Sequence, residues 1–111
     1  MPILFEPEEL PVTQQAGARV TTLANRAMLQ ADALQVERVV LDANAKSSAY
    51  GAVEAERFVY VIEGSGQAHV HAEIFPLERE SVLWLEQDDI FFLEAGAGGL
   101  EVLLCQAPVR E

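Results

Sequence analysis

The 111-residue chain is poor in several of the groups that most often announce a function: it has one cysteine, two histidines and seven basic residues. Cys105 has no second cysteine, which excludes an internal disulfide, and its place in the apolar run Leu-Glu-Val-Leu-Leu-Cys reads as an inert strand thiol with nothing basic beside it. Seven basic against 18 acidic residues leave a formal charge of −11, which argues against nucleic acid and anionic membrane surfaces as partners, since both attract basic patches. No apolar run approaches the ~20 residues of a membrane span. The first residues carry acid where a signal peptide needs a basic region, so the expected location is the cytoplasm. Half of the residues are hydrophobic, which excludes general disorder and suits one domain with a core.

What is present is a succession of short β patterns. The most marked is 56–66, where Phe58, Tyr60 and Ile62 alternate with Val59 and Val61 before Gly64 and Gly66. Apolar residues at both parities predict a strand covered on both faces, and the glycines predict a tight turn at its end. Residues 34–41 read as a strand, 42–48 as a polar loop and 67–72 as a half-buried strand, with Pro76 limiting 73–75 to an edge piece. Residues 82–85 and 90–93 read as two short buried strands around the acidic turn 86–89; 96–99 reads as a loop and 100–105 as the last strand.

Two segments are less uniform. Pro2, Pro7 and Pro11 forbid a helix over 1–13 and predict an extended arm whose Ile3, Leu4 and Phe5 need cover. In 20–34, Val20, Leu23, Ala24, Ala27, Ala31 and Leu34 fall at helical spacing, whereas Val20 to Leu23 have strand propensity. The local pattern leans to helix and the β character of the rest leans to strand. Short strands at about ten-residue spacing predict an all-β barrel or sandwich, with an arm over 1–19 and one domain over 20–111.

The order of a strand ending Val-Ile-Glu-Gly-Ser-Gly, an alternating strand, an Asp-Asp turn, Ile-Phe-Phe-Leu and an Ala-Gly loop resembles the cupin family of jelly-roll barrels (double-stranded β-helices). With Gly64 as the last glycine of that family's first motif, the leading glycine falls on Asn44, the two histidines on Tyr50 and Ala52, and the glutamate on Arg57. In the second motif Gly96 is the one retained member, and the other positions hold Asp88, Glu94, Gly99 and Leu103.

The resemblance implies a fold and, at the same time, the loss of its usual metal. The four ligand positions hold Tyr50, Ala52, Arg57 and Gly99, two of which offer no side-chain donor and one a fixed positive charge. No cofactor is therefore expected. The alignment turns Ala68 and Val70 inward and His69 and His71 outward, so the histidine pair reads as a solvated face.

Arg57 is the informative residue: inside a barrel its charge needs compensation. The alternatives are an internal carboxylate, Glu94 or Asp88, a small anionic molecule held by Arg57 and oriented by Tyr50, or solvent reached at the barrel mouth. The expected ligand-binding residues are thus Tyr50, Arg57 and Glu94. Ser47 and Ser48 have no histidine beside them in sequence, the glycine stretches are too short for phosphate loops, and Asp88-Asp89 reads as a solvated turn.

Two functions remain open. One is a metal-free binding or structural module that forms a homodimer through the outward face of Phe58, Tyr60 and Ile62 and the N-terminal arm. The other is a metal-independent isomerase or lyase acting on a small anion with Arg57 and Tyr50. They differ in whether the interior around Tyr50 and Arg57 is open or filled.

Overall fold

A computed structural model describes residues 2–31 and 34–107. Among them, seven strands form one sheet: β1 (Val12–Gln15), β2 (Ala18–Ala24), β3 (Gln35–Leu41), β4 (Glu56–Val70), β5 (Glu73–Leu77), β6 (Val82–Leu85) and β7 (Phe91–Ala107). The order is β1-β2-β3-β7-β4-β5, with β6 paired to β4, and every pairing is antiparallel. The sheet folds back on itself because β4 and β7 change partners along their lengths. The first half of β4 pairs β6, with Arg57 opposite Leu85, and its second half pairs β5, with Val70 opposite Glu73. This is a jelly-roll barrel, and the all-β expectation holds.

The glycines in β4 and β7 do something other than end strands. Residues 64–66 and 96–99 lie within β4 and β7, and the pairing of the two strands shifts register between Val61 and Glu63 and again between Gly64 and Gly66. The expected tight turn and loop are instead bulges where two long strands bend together. The backbones approach so closely that a Cβ on Gly64 would lie 2.2 Å from the Gly99 oxygen, and one on Gly66 2.1 Å from the Glu94 oxygen. Gly64 also has φ +85°, which a larger residue adopts only under strain.

At the N-terminal end the barrel starts earlier than position 20. Val12–Gln15 and Ala18–Ala24 form a hairpin around Ala16 and Gly17 (φ +78°), so residues 12–19 belong to the sheet and only the segment before them lies outside it. Pro7–Glu9 within that segment form one 3-10 turn, with proline at its first position as its missing N–H allows. In the ambiguous stretch, strand wins over Ala18–Ala24 because both edges find partners, β1 and β3. Among the described residues of this stretch, helix is confined to α1 (Arg26–Leu29), capped by Asn25, whose Oδ1 accepts from Met28 N–H at 2.8 Å, and closed by Gln30 at φ 53°.

The core takes alternate residues from each strand: Val39 and Leu41, Val59 and Val61, Ala68 and Val70, Phe91 and Leu93, Val102 and Leu104. Burying each such Val, Leu or Phe side chain contributes roughly 1.5–3 kcal/mol. Of the two short strands expected to be buried, 90–93 puts Phe91 and Leu93 in the core, and 82–85 is less buried. Within β6 only Leu85 is fully buried, and Val82 and Trp84 are more than half exposed at the edge of the sheet. Cys105 is buried in β7, as expected of a strand thiol, and burial pushes its pKa up. No helix among the described residues is long and apolar enough to cross a membrane.

Gly64→Ala is expected to cost more than about 2 kcal/mol, from a positive φ and a backbone collision together. Gly98→Ala, where a Cβ meets nothing within 4 Å, should stay within about 0.5 kcal/mol of the parent. Urea unfolding of both variants checks this, and equal midpoints would remove the close approach as a constraint.

Candidate functional site

The interior is divided into a filled part and an open part. Arg57 sits in the filled part, only 3% exposed on the same face of β4 as Val59 and Val61. Its Nη1 donates to the Gly51 carbonyl at 2.9 Å and its Nη2 to the Asp89 carbonyl at 2.7 Å, while the guanidinium lies 5.0 Å from the centre of the Phe91 ring. Desolvation pulls the guanidinium pKa down and the Asp89 charge partly restores it. The compensation expected from Glu94 or Asp88 is supplied by main-chain carbonyls. Arg57 ties the 51–55 connection to the 86–90 turn and does not line the open pocket, so it is not placed as an anion clamp.

Glu94 is displaced more plainly. Its neighbours Leu93 and Ala95 point inward, so Glu94 points out, 2.8 Å from His69 Nε2. His69 stacks on Phe92 with ring centres 4.4 Å apart, and the Lys46 ammonium lies 5.8 Å from the centre of the same ring. His71 pairs with the Asp89 carboxylate at 3.1 Å. Both histidines face outward as expected, though each has an acidic partner. Glu94 and Arg57 therefore lie on opposite sides of the barrel wall.

Tyr50 is where the interior opens. Its N–H and carbonyl both pair with Phe91, at 2.7 and 3.0 Å, and its ring stacks on the Phe91 ring at 4.8 Å. It borders a cavity of about 210 Å³ between the β1–β2 hairpin, β3 and the 47–50 segment. Ser47 is held in place because its Oγ accepts from Leu93 N–H at 2.9 Å and donates to the Ser48 carbonyl at 2.9 Å. Ser48 Oγ donates to Gln15 Oε1 at 3.1 Å, joining the rim to β1.

Facing the same cavity is Glu37, a residue the sequence reasoning passed over. It lies on β3 at the parity of the buried Val39 and Leu41, and that parity is the signal that marks it as inward. Its carboxyl group is half-buried and makes no hydrogen bond or ion pair with any described residue. Burial raises its pKa above the ordinary carboxylate value. Burial also pushes the Tyr50 phenol up to about 12, with the Glu37 charge adding to the rise and the Ser47 hydroxyl opposing it. The phenol is thus a neutral donor at physiological pH, set beside an unpartnered carboxyl group.

The remaining residues around the cavity are polar and neutral, Thr13 and Gln15 among them, or apolar, Ala18, Val20 and Val39. Among the described residues Glu37 is the one charged side chain in the lining.

No protein-family model matches the chain, and no curated protein does. Solved structures match over nearly all of it. KdgF from Halomonas sp. superposes with a TM-score of 0.78 at 16% identity, covering 97% of this chain and 96% of that one. An RmlC-like cupin from Shewanella frigidimarina gives 0.77 at 17%, covering 100% and 95%. Streptomyces PAC13 with uridine gives 0.80 at 16%, covering 100% and 86%. The chain has the cupin fold.

Within the cupin barrel, the donors at the positions assigned to a metal do not suit a divalent ion. Ala52 and Gly99 carry no side-chain donor, and Arg57 places a buried positive charge there. Gly99 has φ +83°, and a Cβ on it would approach the Leu41 oxygen to 3.0 Å, so a bulkier ligand residue would be strained at that point. Among the described residues no three His, Cys, Asp or Glu side chains converge.

Glu37 supplies a pH test. Its folded-state pKa is raised, so the folded chain holds the proton more tightly than the unfolded one. That stabilisation is complete below the unfolded pKa and is lost as pH rises through the folded value. Glu37→Gln should therefore melt above the parent near neutral pH, and the difference should shrink towards about pH 4, where the parent carboxyl is taking up its proton. A melting difference independent of pH would contradict the buried carboxyl.

Proposed function

We propose that this cupin is a small-molecule-binding protein that works without a metal and takes its ligand in the cavity between β3 and the 47–50 segment. The observation that carries the reading is the open cavity of about 210 Å³ in which Tyr50 and Glu37 meet. A protein whose interior served packing alone would fill that volume, as it does around Arg57.

A second reading, a metal-independent isomerase or lyase, is favoured by the pairing of a neutral phenol with a carboxyl group of raised pKa. Such a pair can donate and remove protons at one substrate. In this reading Glu37 takes the place first given to Arg57, beside Tyr50. Pac13, a nucleoside dehydratase, is built on the same fold at 17% identity, which supports catalysis as a use of this architecture.

The outer face of the barrel supports self-association. Across β3, β7, β4 and β6, Val36, Cys105, Phe58 and Trp84 form one row, and Leu103, Tyr60 and Val82 continue the next. Trp84, stacked on Phe58 at 5.8 Å, and Val82 leave the edge of this apolar face open to solvent. We propose a second copy of the chain as its cover, with Ile3 and Leu4 of the arm, 63% and 80% exposed, adding to the contact.

A fragment screen followed on the Val20 and Val39 methyl resonances checks the pocket. Hits should cluster there and vanish in Val20→Phe, which fills the cavity from β2; hits confined to other surfaces would sink the reading. Exchange of solvent deuterium into a bound hit, lost in Tyr50→Phe, would favour the enzyme over the binder. Light scattering should give a dimer at tens of micromolar and a monomer for Trp84→Lys, and a monomeric parent would exclude the proposed contact.

A further inference from the structure

Glu37 also bears on the kind of ligand. We infer that the cavity takes a small organic cation, an alkyl-ammonium or alkyl-guanidinium group, with its N–H donors on the Glu37 carboxylate. The inference rests on the pocket reading above.

The charge balance of the site is one-sided. Among the described residues Glu37 is the only charged side chain in the lining. Among the described residues the nearby cations are committed elsewhere: Arg57 to two carbonyls, Arg38 to Glu101, and Lys46 over the Phe92 ring. An anionic ligand would enter a partly desolvated cavity against the Glu37 charge, with no basic group among the described lining residues to receive it.

A cation would meet the opposite conditions. The half-buried carboxylate has two oxygens and no donor among the described residues, and a charge-assisted N–H bond would satisfy it. The Tyr50 phenol oxygen and the Ser48 hydroxyl offer further acceptors within the same lining.

Shape narrows the class. Ala18, Val20 and Val39 form an apolar wall suited to a short alkyl stem. At about 210 Å³ the cavity is smaller than the roughly 300–1,000 Å³ of sites that hold drug-sized ligands, so a charged head on a few carbons fits and a nucleotide does not.

The test titrates three probes of similar size into the full chain, n-butylguanidinium, n-butanol and butyrate, with the Val20 and Val39 methyl resonances as readout. Butylguanidinium should bind most tightly, butanol more weakly and butyrate least. Glu37→Gln should weaken butylguanidinium by roughly tenfold, as expected for losing a charge-assisted bond, and leave butanol unchanged. Glu37→Asp, which keeps the charge, should preserve the preference for the cation over butyrate. Unchanged resonances outside the cavity show that each variant is folded. Butyrate binding as tightly as butylguanidinium, or a Glu37→Gln variant that binds butylguanidinium like the parent, overturns the charge inference while the pocket reading stands. If none of the three probes moves the two methyl groups at millimolar concentration, both fall.

Discussion

The contact of β4 with β7 at their bends is the constraint on which the rest of this barrel depends. Two strands of 15 and 17 residues can serve two layers only if both turn the corner together. The corner places carbonyl oxygens of β7 where side chains of β4 would otherwise begin. Glycine at positions 64 and 66 is the chemical consequence. Once the corner is made, the first half of β4 is committed to β6 and the second half to β5, and alternation decides which side chains face the interior.

That interior is not uniform, and the difference comes from where Phe91 lies. Its ring contacts Arg57 and stacks on Tyr50, so it marks the border between a closed region and an open one. On the closed side, the guanidinium uses two N–H groups to hold the main chain of the 51–55 connection and the 86–90 turn. On the open side, Tyr50 and Glu37 face a cavity rimmed by hydroxyl groups. A charge that seemed fit to receive a ligand is spent on structure, and a charge that attracted no notice lines the cavity.

The sequence disclosed the barrel more readily than the site, for a physical reason. Strand alternation and glycine bends are local, and both are written in consecutive residues such as 56–66. The inward direction of Arg57 followed from the same local parity. Its partners did not, because they are carbonyl groups of a loop and a turn, and every residue type carries a carbonyl. Glu94 shows the matching weakness: motif spacing put it near a ligand position, yet its own parity beside Leu93 and Ala95 turns it outward to His69. Glu37 could have been found by that same rule applied to Val39 and Leu41.

By itself, the sequence determined the all-β class, the strand at 56–62 with apolar residues on both faces, and the position of the glycine corner. These follow from side-chain chemistry and short-range geometry. Only the tertiary structure decided that 12–19 enter the sheet, that Arg57 spends Nη1 and Nη2 on main-chain carbonyls while its buried Nε has no partner among the described residues, and that Tyr50 meets Glu37 across an open cavity. The pairing of β2 with β3, the Arg57–Asp89 contact and the meeting of Tyr50 with Glu37 join residues distant along the chain, and such meetings are decided by packing of the whole barrel.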